Sequence, residues 1–356
     1  KITLLGGEPE PPYSRMAIPY YLIEKVGEDG TYLRQQENHY QDHGIDYVHG
    51  TAAALQGKAK RIKLTDGREI QFDKLLICTG ASPITPPVPG LDRDGVYNCW
   101  TLEDARHIAR LAQKGEPVVL MGAGFIGSII LESLAIKGVN LTVVEMGDRM
   151  VPRMLDETAG VMLQQWCENK GVRVMTKTMI SEVTDGPEGL TVHTKDGDKL
   201  DAKLLVVAAG VQPNIGFLAS SGVEIEHGIL VDHYMRTSVP DVYAAGDVCQ
   251  ATDFSTQKAE MLAIQPVAVE HGRIAAQNMA GKVTPHEGSL NMNVLESMGL
   301  ITASFGLWMG VEGGDSAKMV DLENNRYLRL EFDGNKLVGG QAVGLTEHVG
   351  ILRGLI

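Results

Sequence analysis

Three glycines and one acid carry the clearest chemistry in this sequence. Gly122, Gly124 and Gly127 follow the spacing G-x-G-x-x-G, and Glu145 stands 23 residues beyond the first of them. The preceding residues 117–121 (Pro-Val-Val-Leu-Met) read as a short buried strand. Phe125 and Ile126 open a helix expected to run to about Lys137, with Gly138 as its cap. The pattern alone is weak; between a strand and a helix, with an acid at this distance, it becomes specific for a dinucleotide. Gly122 permits the tight turn, Gly124 lets backbone approach a pyrophosphate, and Gly127 lets the helix lie close to the sheet. The helix start offers unpaired N–H groups and partial positive charge to phosphates. Glu145 ends the next strand and can accept hydrogen bonds from both ribose hydroxyls. It repels a 2′-phosphate, so NADH is favoured over NADPH; Arg149 nearby pulls the other way.

A second constellation lies in Val242-Tyr-Ala-Ala-Gly-Asp-Val248, where a strand ends in Gly246-Asp247. A carboxylate there can hold the hydroxyls of a polyol, or simply cap a turn. Thr79-Gly80 ends another Leu-rich strand. The chain also repeats itself: residues 63–80 resemble 193–210, each an Asp-Gly hairpin turn, a strand and a glycine (Gly80 and Gly210). Residues 1–8 resemble 140–147. Two copies of one nucleotide-binding fold are the economical reading. On that reading the first strand and glycine-rich turn of the first copy are expected some 20–30 residues upstream of Lys1, roughly the length of such a unit.

The elements needed to hold these residues give an α/β chain. It should contain two Rossmann-like dinucleotide-binding domains, one inserted in the other, and a small α+β C-terminal domain. Residues 1–103 and 232–284 form the first, 104–231 the second and 285–356 the third. Thr101-Leu-Glu-Asp104 is a helix start with Thr101 as N-cap. In the last domain Met292, Met298, Met309 and Met319 read as core filler. Strand Tyr327 to Phe332 shows strand alternation.

Composition agrees: 356 residues, 44% apolar and 22% charged, suit a globular protein of several domains. A net charge of −13 argues against nucleic acid and anionic membranes as partners. The basic group Lys58, Lys60, Arg61 and Lys63 reads as a solvated strand face. Four cysteines without paired spacing give no metal cluster and suit the cytoplasm, and no apolar run is long enough to span a bilayer.

The combination resembles the pyridine nucleotide–disulfide oxidoreductase superfamily, with the glutathione reductase fold. Within it the chain is most similar to rubredoxin and ferredoxin reductases, the flavin part of nitrite reductase, and the NADH oxidase and coenzyme A-disulfide reductase group. The resemblance spans essentially the whole chain and implies FAD and NADH as cofactors. It implies FAD contacts at Glu8, Arg15, Thr79, Gly80, Gly246 and Asp247. Ile264-Gln-Pro266-Val267-Ala268 matches the segment whose backbone faces the flavin ring, and Gly210 a turn beside the nicotinamide nucleotide. Three residues depart from the family pattern. Met16 stands where disulfide reductases carry the redox cysteine, and a thioether forms no mixed disulfide. Tyr20 falls near a frequent lysine, and Ile129 replaces a frequent glutamate. Glu270 and His271 follow that segment, where they could tune the flavin, but they read first as a surface pair on the helix.

The implied function is an FAD-dependent NAD(P)H oxidoreductase. It passes hydride from NADH to flavin and electrons on to a small redox protein or reductase subunit, as a homodimer. Cofactors carry that chemistry, so no side chain is assigned a catalytic role and no metal is required. An NADH oxidase using oxygen, or an NADH-responsive flavoprotein serving as a binding or assembly subunit, are the alternatives.

Overall fold

The computed structural model describes residues 1–356. Two units emerge: one from Lys1–Tyr13, Tyr32–Ser82 and Val211–Asn291, the other from Ser14–Thr31, Pro83–Gly210 and Met292–Ile356.

The second unit is built on five short strands rich in Val, Leu and Met. Their order across the sheet is Arg173–Met175, Asn140–Val144, Pro117–Met121, Leu204–Val207 and Val96–Asn98, all parallel. Leu204 to Val207 are all buried, as strands of a parallel sheet covered on both faces must be. After Pro117–Met121 the chain moves to one side of that strand. It later returns to the other side with Leu204–Val207, so the sheet's switch point lies at the end of Pro117–Met121. Ligands of open α/β sheets bind there. The Phe125–Lys137 helix makes the first crossover and ends at Gly138, whose φ of 74° is left-handed. A three-stranded antiparallel layer, Ile180–Gly186, Gly189–Thr194 and Lys199–Ala202, packs Val183, Leu190 and Val192 against Val119 and Leu205.

Boundaries differ from the sequence expectation for a plain reason, which is backbone pairing. Val96–Asn98 hydrogen-bonds to Leu204–Val207, so residues 83–103 join the second unit rather than the first. Ile229–Leu230 pairs with Cys249–Thr252, which carries residues 211–231 into the first unit. Thr101 caps its helix as expected, in a full capping box with Asp104.

Residues 292–356 add an antiparallel sheet in the order Met292–Ser297, Leu300–Gly306, Lys336–Val343, Arg326–Asp333, Asp315–Asp321. It packs within the second unit instead of standing apart. Trp166 donates its indole N–H to the Ser297 carbonyl at 3.1 Å, and Asp156 accepts hydrogen bonds from Tyr327 and Arg329. Met292 packs on the Ala303–Phe305 core, but Met309 is 73% exposed and Met319 45%. Those two are surface residues, not core filler: Met319 sits on the sheet's edge strand Asp315–Asp321, six of whose seven residues are exposed.

The first unit repeats the second in miniature. Ile2–Gly6 pairs in parallel with Ile45–His49, and Leu75–Ile77 with Val242–Ala244. A three-stranded meander (Ala52–Gln56, Arg61–Leu64, Glu69–Gln71) turns at Gly67, just as the other layer turns at Gly197. Leu55, Ile62, Leu64, Ile77 and Val242 share its core. Lys60 pairs with Asp241 and Arg61 with Glu69, both half-exposed.

Asp156 offers a stability test of the join to the C-terminal sheet. Burial pushes its carboxyl up, but hydrogen bonds from the Ala159 N–H, Tyr327 and Arg329 outweigh burial and hold it below 3.8. Its contribution is therefore present above pH 3.8 and is lost as pH falls through the depressed folded-state value. Asp156→Ala should cost about 2–4 kcal/mol at pH 7, the sum of a lost N-cap and a lost charged hydrogen bond from Arg329, which keeps its ion pair with Glu331. Denaturant titration checks this; the gap between variant and parent should shrink in acid.

Candidate functional site

Backbone crowding defines the glycine loop. At Gly122 φ is +101°, and a Cβ there would lie 2.5 Å from the Ala208 carbonyl oxygen. At Gly127 a Cβ would lie 2.1 Å from the Gly122 oxygen, a separation no side chain survives. Gly124 differs: its φ is −70°, and a Cβ built on it meets no atom within 4 Å. No protein group crowds position 124, so the space beside it is open to a ligand.

Glu145 arches over this loop. Its carboxylate accepts the Ala123 N–H at 2.7 Å and the Gly147 N–H at 2.6 Å, and the residue is 8% exposed. One side chain therefore ties the end of one strand to the turn after its neighbour. A carboxylate has about four acceptor positions, so two remain open to further donors. Arg149 is committed elsewhere, donating to the Leu155 carbonyl at 3.1 Å and to Asp148 at 2.7 Å. The one cation that favoured NADPH in the sequence is thus occupied. Gly210, with φ +111°, lies in the segment after Leu204–Val207, and Ala208 of the same segment lies against the loop at Gly122.

In the first unit the Thr79-Gly80 turn is clasped by Asn214, which sequence reasoning missed. Asn214 donates its side-chain N–H to Thr79 O at 2.8 Å and its backbone N–H to Gly80 O at 2.9 Å. Its carbonyl accepts from Thr79 Oγ1 at 2.9 Å and its side-chain oxygen from Ser82 at 2.8 Å. The signal was present: Gly210-Val-Gln-Pro echoes Gly80-Ala-Ser-Pro, and Asn214 follows it. Gly246, with φ +77°, lies against Ala268, so the Gly246-Asp247 turn and the Pro266-Val267 segment meet. Glu8 follows the Ile2–Gly6 strand and accepts a hydrogen bond from Tyr13.

The Asp247 carboxylate is half-buried, and no protein group donates a hydrogen bond to it. Burial alone pushes its carboxyl above 3.8. A desolvated carboxylate lacking donors fits a ligand that brings hydroxyls, such as the ribityl chain of FAD.

Helix caps make the same distinction. Of the four helices with ten or more residues, Leu102–Leu111 and Glu157–Asn169 are capped by Thr101 and Asp156. Phe125–Lys137 and Gln265–Met279 have no side-chain cap and no acid in their first turn. Their free N–H groups and dipoles suit negative charge from outside the chain.

Arg15 belongs to the second unit, where its guanidinium donates to the Trp100 carbonyl and lies 5.4 Å from the centre of that ring. Met16 and Tyr20 are about half exposed, and Ile129 lies in the Phe125–Lys137 helix. His271 is 2% exposed, so it is not the surface residue its helix position suggested; Glu270 is at the surface.

Comparison with known proteins agrees with this geometry. Residues 1–272 match the family model described as pyridine nucleotide-disulphide oxidoreductase. The chain is 32% identical over 333 residues to the NADH-dependent phenylglyoxylate dehydrogenase subunit epsilon of Aromatoleum evansii, covering 93% of this chain and 79% of that protein. It is 29% identical to the assimilatory nitrate reductase electron transfer subunit of Bacillus subtilis, covering 95% of this chain but 43% of that protein. Among solved structures, an NAD-dependent persulfide reductase from A. fulgidus superposes with a TM-score of 0.91 at 27% identity. That match covers 100% of this chain and 72% of the other. The chain belongs to the pyridine nucleotide-disulphide oxidoreductase family and is an oxidoreductase of FAD and NAD(P)H. No helix in it is long and apolar enough to cross a membrane.

Two tests follow from the crowding and from the bare carboxylate. Gly127→Ala should lower stability by about 3 kcal/mol or more, whereas Gly124→Ala should leave stability within about 0.5 kcal/mol and weaken NADH. Thermal melting alongside NADH titration separates the two; equal melting losses for both would refute the assignment. For Asp247, the folded-state pKa is raised, so stability tied to the neutral carboxyl is fully present below pH 3.8 and lost as pH rises through the folded value. Asp247→Asn should therefore raise the melting temperature of the flavin-free protein at pH 7, with a gain that vanishes near pH 4, and should weaken FAD.

Proposed function

We propose that this chain oxidises NADH with FAD and delivers the electrons to a separate redox protein or to a reductase or dehydrogenase subunit. The observation that supports it most is the pair of long uncapped helices. One starts at a switch-point glycine loop closed by Glu145, and the other lies beside a turn carrying a donorless carboxylate.

Bound FAD supplies the redox chemistry, accepting hydride from NADH and handing electrons onward. The chain's residues bind and orient. Gly122, Gly124, Phe125, Ile126 and Gly127 would seat the NADH pyrophosphate, Glu145 its adenosine ribose, and Gly210 the turn beside it. Thr79, Gly80, Gly246, Asp247 and Glu8 would hold FAD. The Pro266-Val267 helix start would favour negative charge on it. No acid, base or nucleophile from a side chain is needed, so we assign none. Met16 in place of a redox cysteine turns the reading away from disulfide reduction. Two relatives are named as subunits, one of them for electron transfer, which supports a protein acceptor. We further place the protein in the cytoplasm, in keeping with four unpaired cysteines, and take a homodimer as its state.

Anaerobic mixing with NADH tests this reading. Flavin absorbance should bleach within the turnover time of an ordinary enzyme, roughly a second or less. Slow bleaching with a persistent charge-transfer band would instead indicate a binding or assembly subunit. Rapid reoxidation by air would indicate an oxidase.

A further inference from the structure

Behind the Gly246-Asp247 turn lies a buried polar network that the proposed function does not use. Cys249 is 1% exposed, and its thiol donates to the Gly246 carbonyl at 3.3 Å. His271 Nδ1 lies 3.8 Å from the same sulfur. The His286 ring, 1% exposed, meets His271 edge-on with centroids 4.8 Å apart. His286 Nε2 lies 2.9 Å from Ser289 Oγ, whose hydroxyl donates to Glu270 at 3.1 Å. The backbone of His286 is held as well: its N–H donates to the His233 carbonyl at 2.6 Å, and its own carbonyl lies 3.0 Å from His233 Nδ1.

The hydrogen bonds fix the tautomers. Ser289 spends its proton on Glu270, so its lone pair accepts from His286 Nε2–H. Cys249 spends its proton on Gly246, so its sulfur accepts from His271 Nδ1–H. Each ring is left with one bare nitrogen, His271 Nε2 and His286 Nδ1, and both are buried without a partner. These are lone pairs and not N–H groups, so no buried donor is stranded. Protonating either ring would create one. Burial accordingly holds His271 down to about 4 and lowers His286 as well.

We infer that His271 is a positioning residue for the flavin site: the Gly246 carbonyl already accepts the Cys249 backbone N–H at 3.0 Å, and through the Cys249 sulfur His271 adds a second hold on it, and with it on the direction of the Asp247 carboxylate. The inference rests on the proposed flavin role of that turn. The chain of contacts runs from a surface acid, Glu270, through Ser289 and His286 to the back of the turn. It spans the Gln265–Met279 helix, the Cys249–Thr252 strand and the segment at 286–289. The two parts of the chain that would approach FAD, the turn and the helix start, are thereby locked to each other from behind. Burial holds His271 down to about 4, so its ring stays neutral at pH 7 and its contact with the Cys249 sulfur persists there.

The test uses the flavin-bound protein. His271→Leu and Cys249→Ala should each raise the FAD dissociation constant by about tenfold, the worth of one net hydrogen bond. The double variant should be no weaker than either single one. His271→Asn, whose amide can reach the Nδ1 position, should recover most of the affinity. The midpoint potential is the readout that a purely structural role would not move. A tenfold change in the ratio of oxidised to reduced flavin affinity shifts a two-electron couple by about 30 mV, and His271→Leu should shift it while His271→Asn does not. Additive single variants, or an unshifted potential, overturn the inference. If His271→Leu fails to fold, Cys249→Ala against Cys249→Ser gives the same comparison. Parent protein that takes up no FAD removes the functional reading and this one with it. Parent protein that binds FAD beside an indifferent His271→Leu removes only the role of His271.

Discussion

Three backbone segments pack at the glycine loop more closely than any side chain permits, and the rest of the site depends on that contact. Gly122 lies on the Ala208 carbonyl and Gly127 on Gly122. Without a Cβ at either position the Phe125–Lys137 helix starts directly behind the end of its strand. Its first N–H groups then point past the sheet, where a ligand can meet them. Glu145 completes the arrangement by binding the loop's own Ala123 N–H, so the acid is oriented before any ribose arrives. Preorganisation of this kind reduces the ordering that binding must do.

The contrast between capped and uncapped helices extends the same logic. Where a helix serves only the fold, the chain satisfies its N-terminus internally, as Thr101 and Asp156 do. Asp156 also accepts hydrogen bonds from Tyr327 and Arg329, so one carboxylate closes a helix and anchors the C-terminal sheet. Where the helix would serve a nucleotide, the chain leaves the groups bare. Stability and function divide between helices of similar length.

Much of this was legible in the sequence because the signals are local. The glycine spacing, the strand before it, the acid after the next strand and the Thr101 capping box all fall within a few dozen residues. The Asp-Gly turns at Gly67 and Gly197 were readable from dipeptides alone, and they exposed the internal repeat. What escaped depends on distance along the chain. The Asn214 clasp joins residues 135 positions apart. His271 looks like a surface residue until His286 and Cys249 arrive from other segments to bury it. The unit boundaries escaped because a single strand, Val96–Asn98, chooses its sheet by pairing with residues a hundred positions later. Met319 was misjudged because composition cannot tell a sheet's inner strand from its rim, and Met309 because it lies in the turn after Leu300–Gly306.

That rim has a consequence of its own. Asp315–Asp321 ends the C-terminal sheet with one row of peptide groups facing solvent, and such a row invites another chain to extend the ladder. Its charges are acid at both ends and Lys318 at the centre. Two copies laid side by side in register would set acid against acid and lysine against lysine. Because the pattern is symmetric about Lys318, reversing one copy changes nothing. Like charges directly opposite are unfavourable in a sheet. The strand thus carries an electrostatic palindrome that discourages fibrous self-assembly and turns any association of this domain with its twin toward a different face.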